Sequence, residues 1–391
     1  MSFLSFFYTS KKQASLIVDI GSGSVGGALV LFGSKIPETL SSLRIPIPYS
    51  EESPKLLSGM LSIVEEVVNS LIRDSLKFKI KVTNIQCFFS SPWCLTRVHT
   101  TYINKAEPVT LTEHFVQDVL RQELKTVSLS QNEIEHNPFF KQPVVVIENV
   151  TNKFSLNGYE VKKPYGKKAR QVQIVSCVSF VPTDIKNSLE KILDQHVHAH
   201  TQILFRSYSY SLYSLIQETI AHESDYMLFD VGAETADIVF SLEGAIYHTD
   251  TIYMGRNSLL SAVSKSFVLG PDVALSFINL FTEGHLEESI ALRIQTIIDE
   301  VEKKWLEELG KVMVRAQKKA SFGKIFITAD KGVGKIFAQF LVKNRTVASE
   351  QDVIILGSET LVSLGLQTKN INDPFLMIEI LDIHRYKLFE S

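Results

Sequence analysis

The sequence predicts an α/β protein with two related halves. One observation is a hairpin motif that occurs twice, as SLIVDIGSGSVGGALVLF at 15–32 and as YMLFDVGAETADIVFSLEGAIY at 226–247. A second is the pattern of 286–319, which has apolar residues at helical spacing, charge on one side and no proline. Together they predict a duplicated two-domain fold whose hairpins face each other across a cleft.

The first motif predicts a strand over 16–20, with Val25 and 28–32 in its partner strand. Asp19 then lies where the first strand enters the turn. Glycine adopts turn conformations at low cost, which suits a tight connection between two buried strands. The connection consists of Gly21, Ser22, Gly23 and Ser24.

The second motif has the same design, with Asp230 at the end of an apolar strand and a small, polar turn after it. That turn consists of Gly232, Ala233, Glu234 and Thr235. Paired turns of this kind offer backbone N–H groups to phosphates. The two carboxylates, Asp19 and Asp230, can then bind the water shell of Mg²⁺.

Composition limits the class of protein. The chain has 391 residues, enough for two or more domains with their own cores, and 45% of them are hydrophobic. A net charge of −3, from 40 basic and 43 acidic residues, gives no overall attraction for nucleic acid, so we expect no nucleic-acid partner. The cysteines, Cys87, Cys94 and Cys177, lack the paired spacing of a zinc site and suit a reducing compartment.

Hydropathy gives an expectation for localisation. No run reaches the roughly 18 apolar residues of a membrane span, and the opening MSFLSFFYTSKK does not match a signal peptide. We therefore expect a cytoplasmic protein, with the inner face of the membrane as the alternative position.

The two hairpins and their continuation resemble the actin-like ATPase superfamily, in which the hairpins are called phosphate 1 and phosphate 2. Gly244–Ile246 and the segment Tyr253-Met-Gly-Arg-Asn257, which opens a helix, are similar to the branch that contains the cell-division protein FtsA and the type IV pilus protein PilM. The resemblance implies ATP and Mg²⁺ as cofactors. It assigns their binding to the two turns with both aspartates, and also to Gly255, Thr328 and Gly332.

The resemblance also implies a division of the chain. Residues 1–86 and 200–224 correspond to subdomain 1A, and 87–199 to an inserted α+β subdomain 1C of the SHS2 type. Residues 225–256 and 322–370 correspond to subdomain 2A, 257–321 to the helical subdomain 2B, and 371–391 to a C-terminal tail. Within the insert, strands are expected over 85–89, 95–102, 144–150 and 172–178, and helices over 112–123 and 183–193.

Three departures from the family pattern affect the nucleotide site. The adenosine-binding turn, IFITADKGVG at 325–334, has Ala329, Asp330 and Lys331 where glycines are expected. Gly26 stands where relatives often carry lysine, and no Asp or Glu occurs between Asp194 and Glu218 to act as a base. We therefore expect weak or vestigial binding of ATP and Mg²⁺, and at most slow hydrolysis with no assigned catalytic residue.

Three further segments have alternative interpretations. His196, His198 and His200 would share one face of a strand, as metal ligands or as structural side chains. A basic loop over 162–170 can meet acidic lipid, an acidic partner or solvent alone. The tail over 372–389 is either a peripheral membrane anchor or a helix packed on the body.

The resemblance implies a cytoplasmic scaffold that organises a membrane-associated assembly for cell division or type IV pilus biogenesis. Its expected partners are proteins of a divisome or of a pilus inner-membrane complex, with self-association into short polymers and peripheral membrane contact as further expectations. One alternative is a nucleotide-free pseudo-ATPase that acts as an interaction module. Another is a kinase or phosphatase of the same superfamily, which would need a catalytic acid that the sequence does not supply.

Overall fold

Two five-stranded sheets with the same strand order form the two halves of the molecule. The computed structural model describes residues 13–124, 135–196, 201–220, 225–317, 322–330, 332–343 and 352–389. In the first sheet the order is β3-β2-β1-β4-β9, formed by β1 (Gln13–Ile20), β2 (Ser24–Leu31), β3 (Glu38–Pro46), β4 (Lys81–Phe89) and β9 (Gln202–Ser207).

The second sheet repeats this arrangement as β12-β11-β10-β13-β14. Its strands are β10 (Tyr226–Val231), β11 (Ala236–Leu242), β12 (Ala245–Ile252), β13 (Lys324–Ala329) and β14 (Val353–Ile355). In both sheets the first three strands are antiparallel and the later strands join in parallel. The predicted hairpins are therefore β1–β2 and β10–β11, at equivalent positions of the two sheets.

A third sheet lies between β4 and β9 in the chain. Its order is β5-β8-β6-β7, formed by β5 (Leu95–Thr110), β6 (Val144–Leu156), β7 (Tyr159–Glu160) and β8 (Lys168–Pro182). Helix α2 (Glu113–Leu124) packs on it through Val116, and a 3-10 turn covers Pro138–Lys141. The expected boundary between residues 86 and 87 needs correction, because 81–89 form one continuous strand of the first sheet.

Helices lie on both faces of the first sheet. Helix α1 (Ser53–Lys77) presents a buried stripe at helical spacing, and α3 (Thr183–Asp194) packs beside it in the same core. Helix α4 (Tyr208–Thr219) lies between the halves and packs against α10 (Pro374–Phe389). The buried stripe of α1 consists of Leu56, Met60, Val64, Val67, Val68 and Leu71.

The second half adds helices on its own sheet. They are α5 (Arg256–Phe267), α6 (Pro271–Thr282), α7 (Glu288–Arg315), α8 (Val333–Lys343) and the short α9 (Ser358–Ser363). Trp305 of α7 is fully buried against Phe229, Phe337 and Phe340. The long helix predicted over 286–319 is thus α7, which ends at Arg315; residues 318 and 319 lie outside the described residues.

The C-terminal tail is part of the body. Asp373 caps α10, because its carboxylate accepts hydrogen bonds from the N–H groups of Phe375 (3.1 Å) and Leu376 (3.2 Å). Side chains on every side of the helix are buried, among them Leu376, Ile378, Ile380 and Ile383. This burial favours the packed alternative over the membrane anchor, because an interfacial helix needs one apolar face free for lipid.

The length and composition of the described helices determine whether one of them could cross a membrane. No single one has both the length and the apolar composition that crossing a bilayer requires; only α5 and α6 together reach them, across a bend of 104°.

Candidate functional site

The turns of the two hairpins touch each other at the boundary between the halves. Each turn is closed by the same hydrogen bond, from Gly21 N–H to the Ser24 carbonyl (3.1 Å) and from Gly232 N–H to the Thr235 carbonyl (2.9 Å). A Cβ atom at Gly23 would lie 2.7 Å from the Cβ of Ala233. Glycine at 23 is therefore what allows the turns to come into contact.

Ser22 occupies the amide donors of the second turn. Its Oγ accepts hydrogen bonds from the N–H groups of Ala233 (3.0 Å) and Glu234 (3.1 Å), and the residue is 2% exposed. These two N–H groups belong to a turn that was expected to bind phosphate through its backbone. In this arrangement a hydroxyl of the first turn satisfies them instead.

Asp19 is paired with an arginine from a neighbouring strand. The Arg44 guanidinium on β3 contacts Asp19 Oδ2 at 2.7 Å and also donates to Ser24 Oγ at 3.0 Å. It passes over Gly26, where a Cβ atom would lie 2.6 Å from Arg44 Nη2. The absence of a side chain at Gly26 thus makes room for Arg44.

Arg44 also connects Asp19 to the tail helix. Its Nε and Nη2 atoms donate to the Asp373 carboxylate at 2.6 and 3.1 Å, and its guanidinium lies 5.1 Å from the ring centre of Phe375. Burial alone would lower the pKa of Arg44, but Asp19 and Asp373 raise it above its usual range. The side chain is therefore a fixed cation at the position where Mg²⁺ was expected to approach Asp19.

Glu379 of α10 adds a second buried carboxyl beside Asp19. Burial and the neighbouring Asp19 raise the pKa of Glu379 well above its usual value, and burial also raises the pKa of Asp19, opposed by Arg44. Neither Glu379 oxygen accepts a hydrogen bond from the residues that the structure describes. We assign the proton of this pair to Glu379, because Arg44 stabilises the ionised form of Asp19.

Asp230 lies at the equivalent end of β10 and is 5% exposed. Its Oδ1 accepts a hydrogen bond from Thr328 Oγ1 at 2.8 Å, so the predicted residue Thr328 supports the second aspartate. Burial, followed by the charges of Asp237 and Asp19, raises the pKa of Asp230 to about 8. The hydrogen bonds from Ala233 and Glu234 to Ser22 bring together the two turns that follow these aspartates.

Gly255 supports the second turn through close backbone contact. A Cβ atom at this position would lie 2.4 Å from the Gly232 carbonyl oxygen and 2.6 Å from that of Ala233. Glu234, in turn, accepts a hydrogen bond from Asn257 Nδ2 at 2.5 Å, and burial raises its pKa. Both predicted residues thus contact other parts of the protein, and Thr235 is buried beside them.

The segment that matches the adenosine-binding turn contacts the other two turns through Arg256. Asp330 forms an ion pair with the Arg256 guanidinium, which also lies 2.7 Å from the position that a Cβ atom of Gly23 would take. Gly332 has a φ of +88°, which favours glycine, and packs near Asn279 of α6. Lys331 lies outside the described residues.

A cavity of about 540 Å³ adjoins this segment and the start of α10. Its volume is within the range of small-molecule sites. Arg44 and Asp330 line it together with Gly332, Ile355 and Phe375. The space next to the adenosine-binding turn is therefore open, whereas the space between the phosphate turns is filled by protein atoms.

These contacts show whether the two turns can hold the expected cofactor, ATP with Mg²⁺. Mg²⁺ with ATP needs the turn N–H groups and the Asp19 carboxylate, yet Ser22 and Arg44 already hold these groups. As arranged in this structure, the residues do not fit a magnesium-bound triphosphate.

Sequence reasoning missed Asp237, a half-buried residue of β11 that joins the halves. Its carboxylate accepts from Ser91 N–H (3.2 Å), Ser91 Oγ (2.7 Å), Thr251 Oγ1 (2.8 Å) and Ser209 Oγ (3.3 Å). Burial raises the pKa of Asp237, whereas the hydrogen bonds from Ser91 and Thr251 lower it to a smaller extent. The signal was present, because Asp237 is a second acid inside the apolar strand of the second motif. Arg44 and Glu379 gave no comparable local signal.

The histidine triplet does not form a metal site in the part of the chain that the structure describes. His196 lies 3.9 Å from Glu65, whereas His198 and His200 fall outside the described residues. Among the residues with described positions, no group of three metal-ligating side chains was found.

Two sheets of equal strand order, with paired hairpin turns where they meet, define the actin-like ATPase fold, and this chain has that fold. A solved chain of a PilM-PilN type IV pilus biogenesis complex is similar, with a TM-score of 0.64 at 13% sequence identity over 94% of this chain and 97% of that one. The ethanolamine utilization protein EutJ from Carboxydothermus hydrogenoformans aligns with a TM-score of 0.47 at 9% identity, over 95% and 89%. No protein-family model and no curated protein matches the sequence.

Proposed function

We propose that the protein is an FtsA/PilM-like scaffold in the cytoplasm, which organises an assembly at the inner face of the membrane. The likeness to a chain of a pilus biogenesis complex supports this class and favours pilus assembly over cell division. The observation that carries the proposal is the internal pairing of the phosphate turns. A fold whose reactive groups bind one another is suited to presenting surfaces to partners rather than to turnover.

In this proposal the third sheet and α2 form the partner-binding insert, of the SHS2 type. The near end of the sheet is part of the first half's core through Leu95, Val178 and Phe180. Its middle packs on the second half, where Asn152 Nδ2 donates to the Ile246 carbonyl at 3.1 Å. A rigid attachment of this kind would transmit the position of a bound partner to the body. The assignment of subdomains 1A, 1C, 2A and 2B is likewise part of the proposal.

ATP and Mg²⁺ would bind weakly or only as a vestige of the superfamily's activity. Binding requires that the hydroxyl of Ser22 leave two N–H groups and that Arg44 leave Asp19, and each exchange removes existing hydrogen bonds. Helix α4 begins with Tyr208, which is fully buried. Its described first turn contains no Asp or Glu that could act as a base for hydrolysis. We therefore propose slow ATP hydrolysis at most.

A second candidate is the nucleotide-free interaction module, which the contact between Ser22 and the second turn specifically favours. Calorimetric titration with ATP and Mg²⁺ distinguishes the two. A vestigial site would bind with a dissociation constant near or above about 1 mM. Binding should then be weaker still in Asp19→Asn and in Asp230→Asn. Asp272→Asn, an exposed change on α6, is the control. Absence of any heat of binding supports the nucleotide-free module, and submicromolar affinity overturns both candidates.

The scaffold role is tested by capture of the native protein with its partners, followed by mass spectrometry. Inner-membrane proteins of a pilus machine are the expected result. Recovery of division proteins would assign the scaffold to the other process. Recovery of neither group, from cells that make both machines, would overturn the proposed role.

A further inference from the structure

The far end of the third sheet carries a concentrated positive charge. We define the basic tip as residues 157–170, which contain one acid, Glu160, and five basic side chains. The tip therefore has a formal charge of +4, whereas the whole chain has −3, so the remaining residues carry −7. The basic side chains are Lys162, Lys163, Lys167, Lys168 and Arg170.

The basic tip projects away from the cleft. The β5–β8 ladder begins at the pair Leu95–Phe180, which belongs to the core of the first half, and runs outward to the pair Asn104–Gln171. Nine residue steps at about 3.4 Å each place the tip roughly 30 Å from that core. A flat partner can therefore approach the tip without touching the two phosphate turns.

The backbone of the tip is held in place. Gly166 N–H donates to the Leu111 carbonyl at 2.8 Å, and Leu111 N–H donates to the Lys167 carbonyl at 2.9 Å. The ring of Tyr165 lies edge-on to Phe154, with 5.9 Å between centroids. The lysines are thus displayed by an ordered loop that loses little conformational entropy when it binds.

The charged side chains of the tip are available for a partner. The four lysines are exposed, and the described residues form no ion pair with any of them. Arg170 has one distant contact, 3.9 Å from Glu107, and Glu160 is paired with Lys153 at 2.8 Å. Glu113 and Glu243 also lie near the tip, where Glu243 shares Lys153 with Glu160 at 3.5 Å, but none of the described acids pairs with the four lysines.

Two tyrosines extend the same surface. Tyr159 is 77% exposed and Tyr165 is 51% exposed. Tyrosine rings are enriched at the boundary between lipid and water, where the ring enters the headgroup layer and the hydroxyl stays hydrated. Lysine suits a diffuse negative surface, whereas paired recognition of individual carboxylates is typical of arginine. Four lysines and one arginine thus favour a lipid surface over an acidic protein.

We propose that the basic tip docks on an anionic phospholipid surface and orients the molecule on the membrane. The inference deepens the proposed scaffold role, which it assumes, by identifying which surface faces the bilayer. This membrane contact is made by the third sheet and not by the C-terminal tail, whose helix α10 is buried in the body. The two phosphate turns and the cavity remain free of the membrane in this orientation.

Sedimentation of the full chain with vesicles tests the proposal. We expect binding to phosphatidylcholine vesicles with about 30% phosphatidylglycerol, loss of binding in about 0.5 M salt, and none to phosphatidylcholine alone. Changing Lys162, Lys163, Lys167 and Lys168 together to glutamine should weaken binding by about fivefold per lysine, which is on the order of several hundredfold in total. Tyr159→Ala should weaken binding without altering its salt dependence.

The control is a matched variant in which four exposed lysines outside the tip, at positions 81, 191, 303 and 304, are changed to glutamine. It has the same net charge as the tip variant and should bind vesicles as the wild type does. Equal loss in both variants, or no binding to anionic vesicles at about 0.05 M salt, would overturn the proposal. Equal binding to soluble polyglutamate would do so as well, because it would assign the tip to acidic proteins. Capture of protein partners with the tip variant tests the scaffold role separately. If the expected partners are still captured, the failure concerns the membrane contact alone.

Discussion

At the scale of single residues, the cleft is arranged so that its polar groups bind one another. Arg44 stands at Asp19, Ser22 at the second turn, and Arg256 at the adenosine-binding segment. Each contact satisfies a buried group that would otherwise need water, a metal or a phosphate. Groups of the two turns that could bind a ligand are therefore already held by other side chains of the protein.

Arg44 should be more important for stability than an ordinary surface cation. Arg44→Gln leaves Asp19 buried beside Glu379 without its ion-pair partner, and we expect the free energy of unfolding to fall by about 3–5 kcal/mol. Asp19→Asn in the same chain should recover part of this loss, with a coupling energy on the order of 1–3 kcal/mol in urea unfolding. Lys55→Gln, which breaks an exposed pair with Glu52, should cost less than about 1 kcal/mol. Strict additivity of the Arg44 and Asp19 changes would show that the pair is not coupled.

Asp230 should make stability depend on pH. Its pKa rises from 3.8 to about 8 on folding, so the folded state retains a proton that the unfolded state releases in this interval. The free energy of unfolding should therefore fall as pH rises from about 4 to about 8, by at most about 1.4 kcal/mol per unit for this group. Asp230→Asn should remove that part of the slope in urea unfolding at several pH values. Asp272→Asn, at an exposed position, should retain the wild-type slope, and a slope unchanged in Asp230→Asn would refute the assignment.

At the scale of elements, α10 shows why composition alone leaves two interpretations of the tail open. The segment is apolar, which suits both a membrane anchor and a buried helix. Its acids decide the matter, because Glu379 and Asp382 are fully buried and face the body, where Arg206 lies 3.2 Å from Asp382. A helix with buried carboxyls on the protein side is a structural connection between β9, α4 and the phosphate region.

Ile380→Ala should therefore act on folding. The side chain is fully buried against the first sheet, and its truncation should lower the free energy of unfolding by about 2–5 kcal/mol. Val362→Ala, at a site on α9 that is 46% exposed, should cost much less. Urea unfolding and vesicle sedimentation together separate the two roles of the tail. An anchor would lose vesicle binding and keep its stability, which is the opposite of the result that we expect.

At the scale of the whole molecule, the parts predicted correctly are those specified by local sequence. Both hairpins follow from strand patterns that surround an acid and glycines, and their equivalence predicted the duplicated fold. The contacts that fill the cleft are long-range: 329 residues separate Arg44 from Asp373, and 211 separate Ser22 from Ala233. Periodicity and turn composition carry no information on such pairs. The two hairpin turns could thus be located from sequence, whereas the contacts that fill the space between them could not.

The contacts between the halves also predict how the molecule unfolds. Ser22 bonds to the second turn, Asp237 to Ser91, and Thr249 Oγ1 to the Thr96 carbonyl at 2.6 Å. Buried bonds of this kind should make the two halves one cooperative unit, because opening the boundary leaves polar groups unpaired on both sides.

The two tryptophans allow a direct measurement, since Trp93 belongs to the core of the first half and Trp305 to that of the second. In Trp93→Phe the remaining fluorescence reports on the second half, and in Trp305→Phe on the first. For each variant we expect the fluorescence transition in urea to coincide with the loss of helical circular dichroism, with a single midpoint. A fluorescence midpoint displaced from the dichroism midpoint in either variant would mean that the halves unfold separately. The contacts across the cleft would then be too weak to hold it closed, and the two hairpin turns would be accessible in a partly open state.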